Sequence, residues 1–422
     1  MEQILRVVWK TETDTETRAR VLAEALEKAA VCPEIRCVTV TGEGDTFLTG
    51  TADKDTEARL AEAFGKNPVP VVLAVNGALN GIGREVLERA DLAIAGGSAL
   101  IGEFKGKEAE EQYAVNEIVP DELLLKRTED YAQRLLSFPA ELIRFGHKAY
   151  FALEKLPDRA SRARFSSENL QMEIIGIQSR LKLDGRKAGA DGTEDETKAC
   201  AAGTGAEPEV NYEFPEDAEH AVLFEFRNDV EYIQLNTPGY GQRFDWRSSM
   251  ELAGAYAVGN TVPGLKAIAV TGTGGKFHLG GIRHHPESSR ERRLFSDQLD
   301  IRNRVMRGIH VPLIAAVNGE CSGGGMSLPL KADYVIASKS ARFGYPEIRH
   351  NDFACNAMVN TMGVIPKKAA LKCFYFGELF TASDAERFGI VDRVAEDGML
   401  AAELEKVLEQ IRAGREDWKT GS

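Results

Sequence analysis

The sequence predicts an α/β fold with a largely parallel sheet, laid down twice along one chain. Three observations carry that expectation. Short apolar strands alternate with segments whose apolar residues recur at helical spacing, the rhythm of strand–helix–strand units. Two glycine-bearing segments of the first half reappear in the second at nearly constant offsets, which is hard to obtain by chance. A stretch rich in Gly, Ala, Thr and charge, Gly185–Glu209, separates the two halves and contains no large apolar residue.

In chain order, Cys37–Gly50 (C-V-T-V-T-G-E-G-D-T-F-L-T-G) answers Ala267–Gly280 (A-I-A-V-T-G-T-G-G-K-F-H-L-G). Val69–Arg84 (V-P-V-V-L-A-V-N-G-A-L-N-G-I-G-R) answers Val311–Met326 (V-P-L-I-A-A-V-N-G-E-C-S-G-G-G-M). Phe47 and Phe277 are 230 residues apart, whereas Asn76 and Asn318, like Asp91 and Asp333, are 242 apart, so the second half carries 12 extra residues around His284–Phe295. Val115–Val119 answers Val391–Val394 at 276, which leaves the first half 34 residues short beyond the region matching Gly344-Tyr345-Pro346-Glu347.

Strands are expected at Glu231–Leu235, Ala267–Val270, Leu313–Val317 and Tyr334–Ala337, with a helix over Arg247–Gly259 and another opening at the triple glycine and running through Met326–Lys331. Amphipathic helices are expected at Leu123–Leu136, Ala140–Leu156 and Phe165–Leu183, and again at Leu400–Ala413 and Arg415–Ser422. The division that follows is a first domain over 1–185, a flexible linker over 186–209 and a second domain over 210–422. The linker cannot bury enough apolar surface to order itself.

A net charge of −13 argues against a sequence-independent grip on nucleic acid or an anionic membrane. The six cysteines show no metal-like spacing and read as free thiols of a reducing compartment, and no metal site is expected. No apolar run approaches a membrane span and the start of the chain lacks a signal-peptide pattern, so a cytoplasmic location is expected.

Four pieces of the second half, V-T-G-x-G-x-x-F-x-x-G, A-A-V-N-G-x-x-x-G-G-G, A-D-Y-V-I-A with A-R-F-G-Y-P-E, and T-A-S-D-A-E-R-F-G-I-V-D-R-V, resemble the crotonase (enoyl-CoA hydratase/isomerase) superfamily in its own order. The resemblance is strong over Val230–Asp397 and weak over Arg6–Leu183. It implies two tandem spiral ββα domains of the ClpP/crotonase type, each with C-terminal helices, and an enzyme that binds an acyl thioester and stabilises its enolate. Coenzyme A then enters as part of the substrate, no separate cofactor is implied, and a homo-oligomer (a trimer, or a dimer of trimers of domains) is expected.

Two preorganised backbone N–H groups stabilise a developing enolate oxygen by several kcal/mol. The resemblance assigns them to Leu279, just before Gly280, and to Gly324, with Gly323 letting the chain approach the thioester. Of the two carboxylates a hydratase of this family uses, the first position falls on Ser327, and the second on Glu347. One glutamate suffices to move a proton between carbons, so isomerase-like chemistry is favoured over plain hydration. Hydrolysis, decarboxylation or C–C cleavage of an acyl-CoA or acyl-carrier-protein thioester, and a catalytically silent thioester-binding scaffold, remain as alternatives.

Tyr345, His350, Asp352 and Cys355 flank Glu347. Tyr345 is a candidate catalytic group or a core aromatic with a paired hydroxyl; His350 is a ligand contact or a surface residue. Asp352 reads as a helix cap, a ligand contact or a nucleophile, and Cys355 as a nucleophile or a small buried side chain. For the CoA moiety the resemblance points to Lys276, Phe277, His278, Gly280 and Arg243, with Arg290, Arg292 and Arg293 as further cations. The first half keeps Asn76-Gly77 and has Glu85 where Ser327 stands, but Lys105 falls where Glu347 would be. It reads as a structural copy that lends its helices to the other half or to an oligomer interface.

Overall fold

The computed structural model describes residues 3–112, 115–190, 220–237, 239, 241–281 and 301–414. The chain divides into two compact units. One comprises Met1–Ile174, Cys321–Lys331 and Lys339–Val394; the other comprises Ile175–Glu320, Ala332–Ser338 and Ala395–Ser422. These units do not follow the linear boundaries expected from the sequence, because the residues after the triple glycine pack with the first half of the chain.

The first unit is organised by a sheet of five strands in the order Ile4–Trp9, Cys37–Gly42, Val71–Val75, Leu92–Gly96, Glu117–Val119, every pairing parallel. All five residues of Val71–Val75 and of Leu92–Gly96 are buried, as fits inner strands covered on both faces. A smaller sheet joins Thr46–Leu48, Ala78–Leu79, Leu100–Ile101 and Phe104–Lys105. The helix Thr15–Val31 buries Ala19, Leu22, Ala23 and Leu26 on one face, and Asp14 caps it by accepting from Thr17 N.

The second unit repeats the register. Val230–Leu235, Ala267–Gly272, Leu313–Val317 and Tyr334–Ser338 pair in parallel, with the hairpin strand Val222–Arg227 added antiparallel at the edge. One face packs on Leu404, Val407, Leu408 and Ile411 of the helix Leu400–Arg412. The helix Trp246–Gly259 is capped by Asp245, which accepts from Ser248 N.

Corresponding side chains do the same work in both sheets. Asp91 Oδ2 accepts from Val71 N at 2.9 Å, and Asp333 Oδ2 from Leu313 N at 2.9 Å. Asn76 takes Gly42 N (3.2 Å) and gives to Gly44 O (2.6 Å); Asn318 takes Gly272 N (3.1 Å) and gives to Gly274 O (2.7 Å).

Two helices differ from expectation. The helix expected through Met326–Lys331 is two 3-10 turns, Gly323–Ser327 and Pro329–Lys331, because Pro329 has no N–H to continue a helical ladder. The helix expected over Phe165–Leu183 is split into Arg159–Phe165, a π-turn at Ser166–Leu170 and Gln171–Ala190. That last helix also runs five residues into the expected linker, whose remainder lies outside the described residues. So do the expected helix at Arg415–Ser422, the insertion around His284–Phe295, and Arg290, Arg292 and Arg293.

Inside the first unit, helices from the first half wall in segments from the second. Tyr131 meets Phe376 edge-on at 5.2 Å, and Phe145 meets Phe353 at 5.8 Å. Arg134 Nη1 pairs with Glu378 at 2.5 Å. Asp91, fully buried, accepts from Tyr375 OH at 2.6 Å and lies 2.8 Å from His147 Nδ1. Burial pushes its carboxyl up, but His147, the Tyr375 hydroxyl and Val71 N together hold it below the usual carboxylate range. Lys368, 4 % exposed, donates from Nζ to Leu87 O and Ala90 O at the C-terminal end of the helix Ile82–Arg89, where the helix dipole favours a cation.

Candidate active site

Glu347 sits in the first unit, on the 3-10 turn Pro346–His350, with Pro346 supplying the preset φ of the first helical position. It is half-buried, and its Oε2 is sealed from solvent. The strands Arg342–Gly344 and Leu379–Thr381 pair antiparallel and hold the base of that turn. Asn351, left-handed at φ 57, ends the turn and reverses the chain, so that Asp352 N donates back to Glu347 O at 3.2 Å.

The groups around this turn divide sharply. Tyr345 is 1 % exposed, shares a 2.6 Å hydrogen bond with Thr361 Oγ1 and stacks on Phe374 at 4.8 Å. Burial pushes its phenol up. A hydroxyl so enclosed is a packing group, and the expected catalytic part for Tyr345 is withdrawn on that ground. His350 is exposed, while Asp352 is half-buried and accepts from Phe353 N at 2.7 Å. Asp352 caps its own turn rather than the helix Cys355–Thr361, which shows no side-chain cap. Cys355 is 1 % exposed, and burial first, then Asp352 and Glu347, push its thiol well up, so a thiolate nucleophile is not supported there.

Of the triple glycine, Gly323 is buried with φ 57, a conformation that favours glycine, and Gly324 is exposed. Gly324 is the second residue of its 3-10 turn, so its N–H precedes the first bond that turn can make. Ser327 is half-buried and bears no carboxylate.

In the second unit the motif Lys276–Gly280 is organised by Gln242, 2 % exposed and at φ 63. Its side chain accepts from Thr237 N (2.8 Å) and donates to Leu235 O (3.0 Å) and Thr273 O (2.7 Å). Its carbonyl accepts from Leu279 N at 2.9 Å. The Leu279 amide is therefore spent, which corrects its expected part as an oxyanion donor. Phe244 N then donates to Gly280 O at 2.8 Å beside a parallel bridge between Phe244 and Gly281, and Gly281 N–H has no partner among the described residues. Gly281 escaped the sequence reading, and only the strand pairing distinguishes it from Leu279.

His278 is also corrected. It is 2 % exposed, its ring packs on Phe244 at 4.5 Å and its Nδ1 lies 3.3 Å from Gln242 O. Burial and then the Arg302 guanidinium hold its imidazole down to about 3, so it is a neutral core group rather than a ligand contact. Phe277 is wholly buried and Gly280 turns at φ 82. Lys276 is exposed, and Arg243 Nη1 donates to Leu279 O at 2.8 Å. In the first half Glu85 and Lys105 are both exposed.

Among the described residues no helix is long and apolar enough to cross a membrane, and no group of three or more His, Cys, Asp or Glu is arranged to hold a metal.

The enoyl-CoA hydratase/isomerase family model matches residues 225–419. The (E)-benzylidenesuccinyl-CoA hydratase of Thauera aromatica is 30% identical over 193 residues, covering 45% of this chain and 75% of the relative. The mevalonyl-coenzyme A hydratase sidH of Aspergillus fumigatus is 31% identical over 177 residues, 41% of this chain and 66% of the relative. A solved enoyl-CoA hydratase from Mycobacterium smegmatis is 24% identical with a TM-score of 0.43, covering 46% of this chain and 77% of the other. An α/β chain with these motifs is an acyl-CoA enzyme in class. It belongs to the enoyl-CoA hydratase/isomerase, or crotonase, family.

Proposed function

We propose that the chain forms an enolate on an acyl-CoA thioester and that Glu347 carries the proton at the α-carbon. The observation that supports this most is the half-buried Glu347 carboxyl on a turn set by Pro346 and closed by Asn351. A carboxyl held there is positioned before substrate arrives, and a general acid or base of this kind contributes about 10² to 10⁴ in rate. Gly324, in the same unit as Glu347, is a backbone donor to the enolate oxygen. The substrate supplies the coenzyme A, and no other cofactor enters the scheme.

Isomerisation needs only Glu347, which would lift a proton from one carbon and return it to another. Hydration needs a further group to activate water, and Ser327 does not provide it. The matching registers and paired Asp and Asn contacts of the two sheets further support a duplicated chain, with chemistry confined to the second copy.

Solvent-deuterium exchange at the α-carbon of saturated acyl-CoAs tests the central step. Exchange by the wild type and its loss in Glu347→Gln are expected. Equal exchange by both proteins would sink the assignment.

A further inference from the structure

Building on the enolate reading, we propose that the first half of the chain sets the place of the Glu347 carboxyl, and that Phe353, seated in a notch at Gly146, is the positioning residue through which it does so. The notch lies in the helix Ala140–Glu154 of the first half. Glycine inside a helix is destabilising relative to alanine, and at Gly146 the missing Cβ is what makes room for a ring. A Cβ there would stand 2.4 Å from the Phe353 ring. Phe353 is 4 % exposed and meets Phe145 of the same helix edge-on at 5.8 Å.

From that seat Phe353 holds the turn Pro346–His350 from both ends. On one side the residue before it, Asp352, donates its N–H to Glu347 O at 3.2 Å, and Phe353 N donates to Asp352 Oδ1 at 2.7 Å. On the other side Phe353 stacks on Phe374 at 5.8 Å, and Phe374 stacks on Tyr345 at 4.8 Å. Only Pro346 stands between Tyr345 and Glu347, and its fixed φ passes a shift of the one on to the other.

The first half also grips the chain beyond the turn. Asn356 and Asn360, one turn apart on the helix Cys355–Thr361, accept from Ser166 Oγ at 3.2 Å and from the Arg159 guanidinium. Ser166 opens the π-turn Ser166–Leu170, a rare form that recurs at functional sites. A reacting group misplaced by about 1 Å loses about 10² in rate. A half that carries no reacting group therefore governs turnover by holding Phe353.

The test uses the full-length chain and reads α-deuterium exchange with butyryl-CoA beside thermal melting. Phe353→Met keeps the apolar character but loses the flat ring, and is expected to lower kcat by about 10 to 10² with KM unchanged. Gly146→Ala should do the same by displacing the ring. In the double variant the flexible methionine yields to the new methyl, so kcat should match that of Phe353→Met rather than fall by the product of the two single effects. A merely structural role would lower the melting temperature and leave kcat of the folded protein as it was. Phe353→Met alone carries the test should Gly146→Ala not fold. Wild-type kcat in Phe353→Met, or single effects that multiply in the double variant, overturns this inference alone, provided Glu347→Gln abolishes exchange. A wild type without exchange, or Glu347→Gln that exchanges as the wild type does, overturns the enolate reading beneath it.

Discussion

Glu231 gives the chain a stability term that a single substitution should expose. It lies on the strand Val230–Leu235, wholly buried, and neither carboxyl oxygen has a hydrogen-bond partner among the described residues. Gly259 accommodates it, since a Cβ there would stand 2.0 Å from Glu231 Oε2. Its strand partners are Phe226 and Ile268, and the Tyr256 hydroxyl, itself buried, feels its charge. Burial alone raises its carboxyl from 4.5 to about 7. That difference is worth about 3 kcal/mol.

The unfolded chain releases the proton near its ordinary value while the folded chain keeps it until about 7. Stability therefore falls as pH rises through that window and levels off above it. His278 works in the opposite sense, because its imidazole is held down to about 3 and stability is lost as pH falls below its ordinary 6.5. The wild-type profile is consequently flattened, and the informative quantity is the difference between wild type and Glu231→Leu, in which His278 cancels. Leucine is the apt replacement because Leu5 pairs with Val38 in the first sheet as Glu231 pairs with Ile268 in the second. Urea unfolding followed by circular dichroism should show the leucine variant gaining about 2 to 3 kcal/mol more at about pH 8 than at about pH 5. A gain that does not change between those conditions would refute the reasoning.

Tyr375→Phe removes the hydroxyl that donates to buried Asp91 at 2.6 Å, and is expected to cost about 1.5 to 3 kcal/mol in denaturant unfolding, as a bond to a charged group does. Gly146→Ala drives a methyl against the Phe353 ring, 2.4 Å away, and should cost about 1 to 3 kcal/mol and lower activity through the adjoining turn that carries Glu347. Unchanged melting and turnover in that variant would show that Phe353 is free to move.

Much of the fold was legible because inner strands and their capping residues are local signals. The runs around Leu313–Val317 and Tyr334–Ala337 read directly as buried strands. Glu347 and the triple glycine were legible as a motif, and Pro329 carried a sign of its broken helix that periodicity overrode. Tyr345 and His278 were misread because a polar side chain beside a motif looks the same in sequence whether it faces ligand or core. Burial and partners such as Thr361 and Phe244 decide between the two.

By itself the sequence determined the α/β architecture and the family, since these rest on residue order and spacing along short stretches. Tertiary structure alone decided which amides are spent. Leu279 gives its N–H to Gln242, a residue 37 positions earlier, and Gly281 does not, a distinction made by strand pairing and invisible in composition. Packing likewise decided the compact units. Tyr375 reaches Asp91 across 284 positions and Lys368 reaches Ala90 across 278, because a buried polar group must find its partner wherever the folded chain offers one.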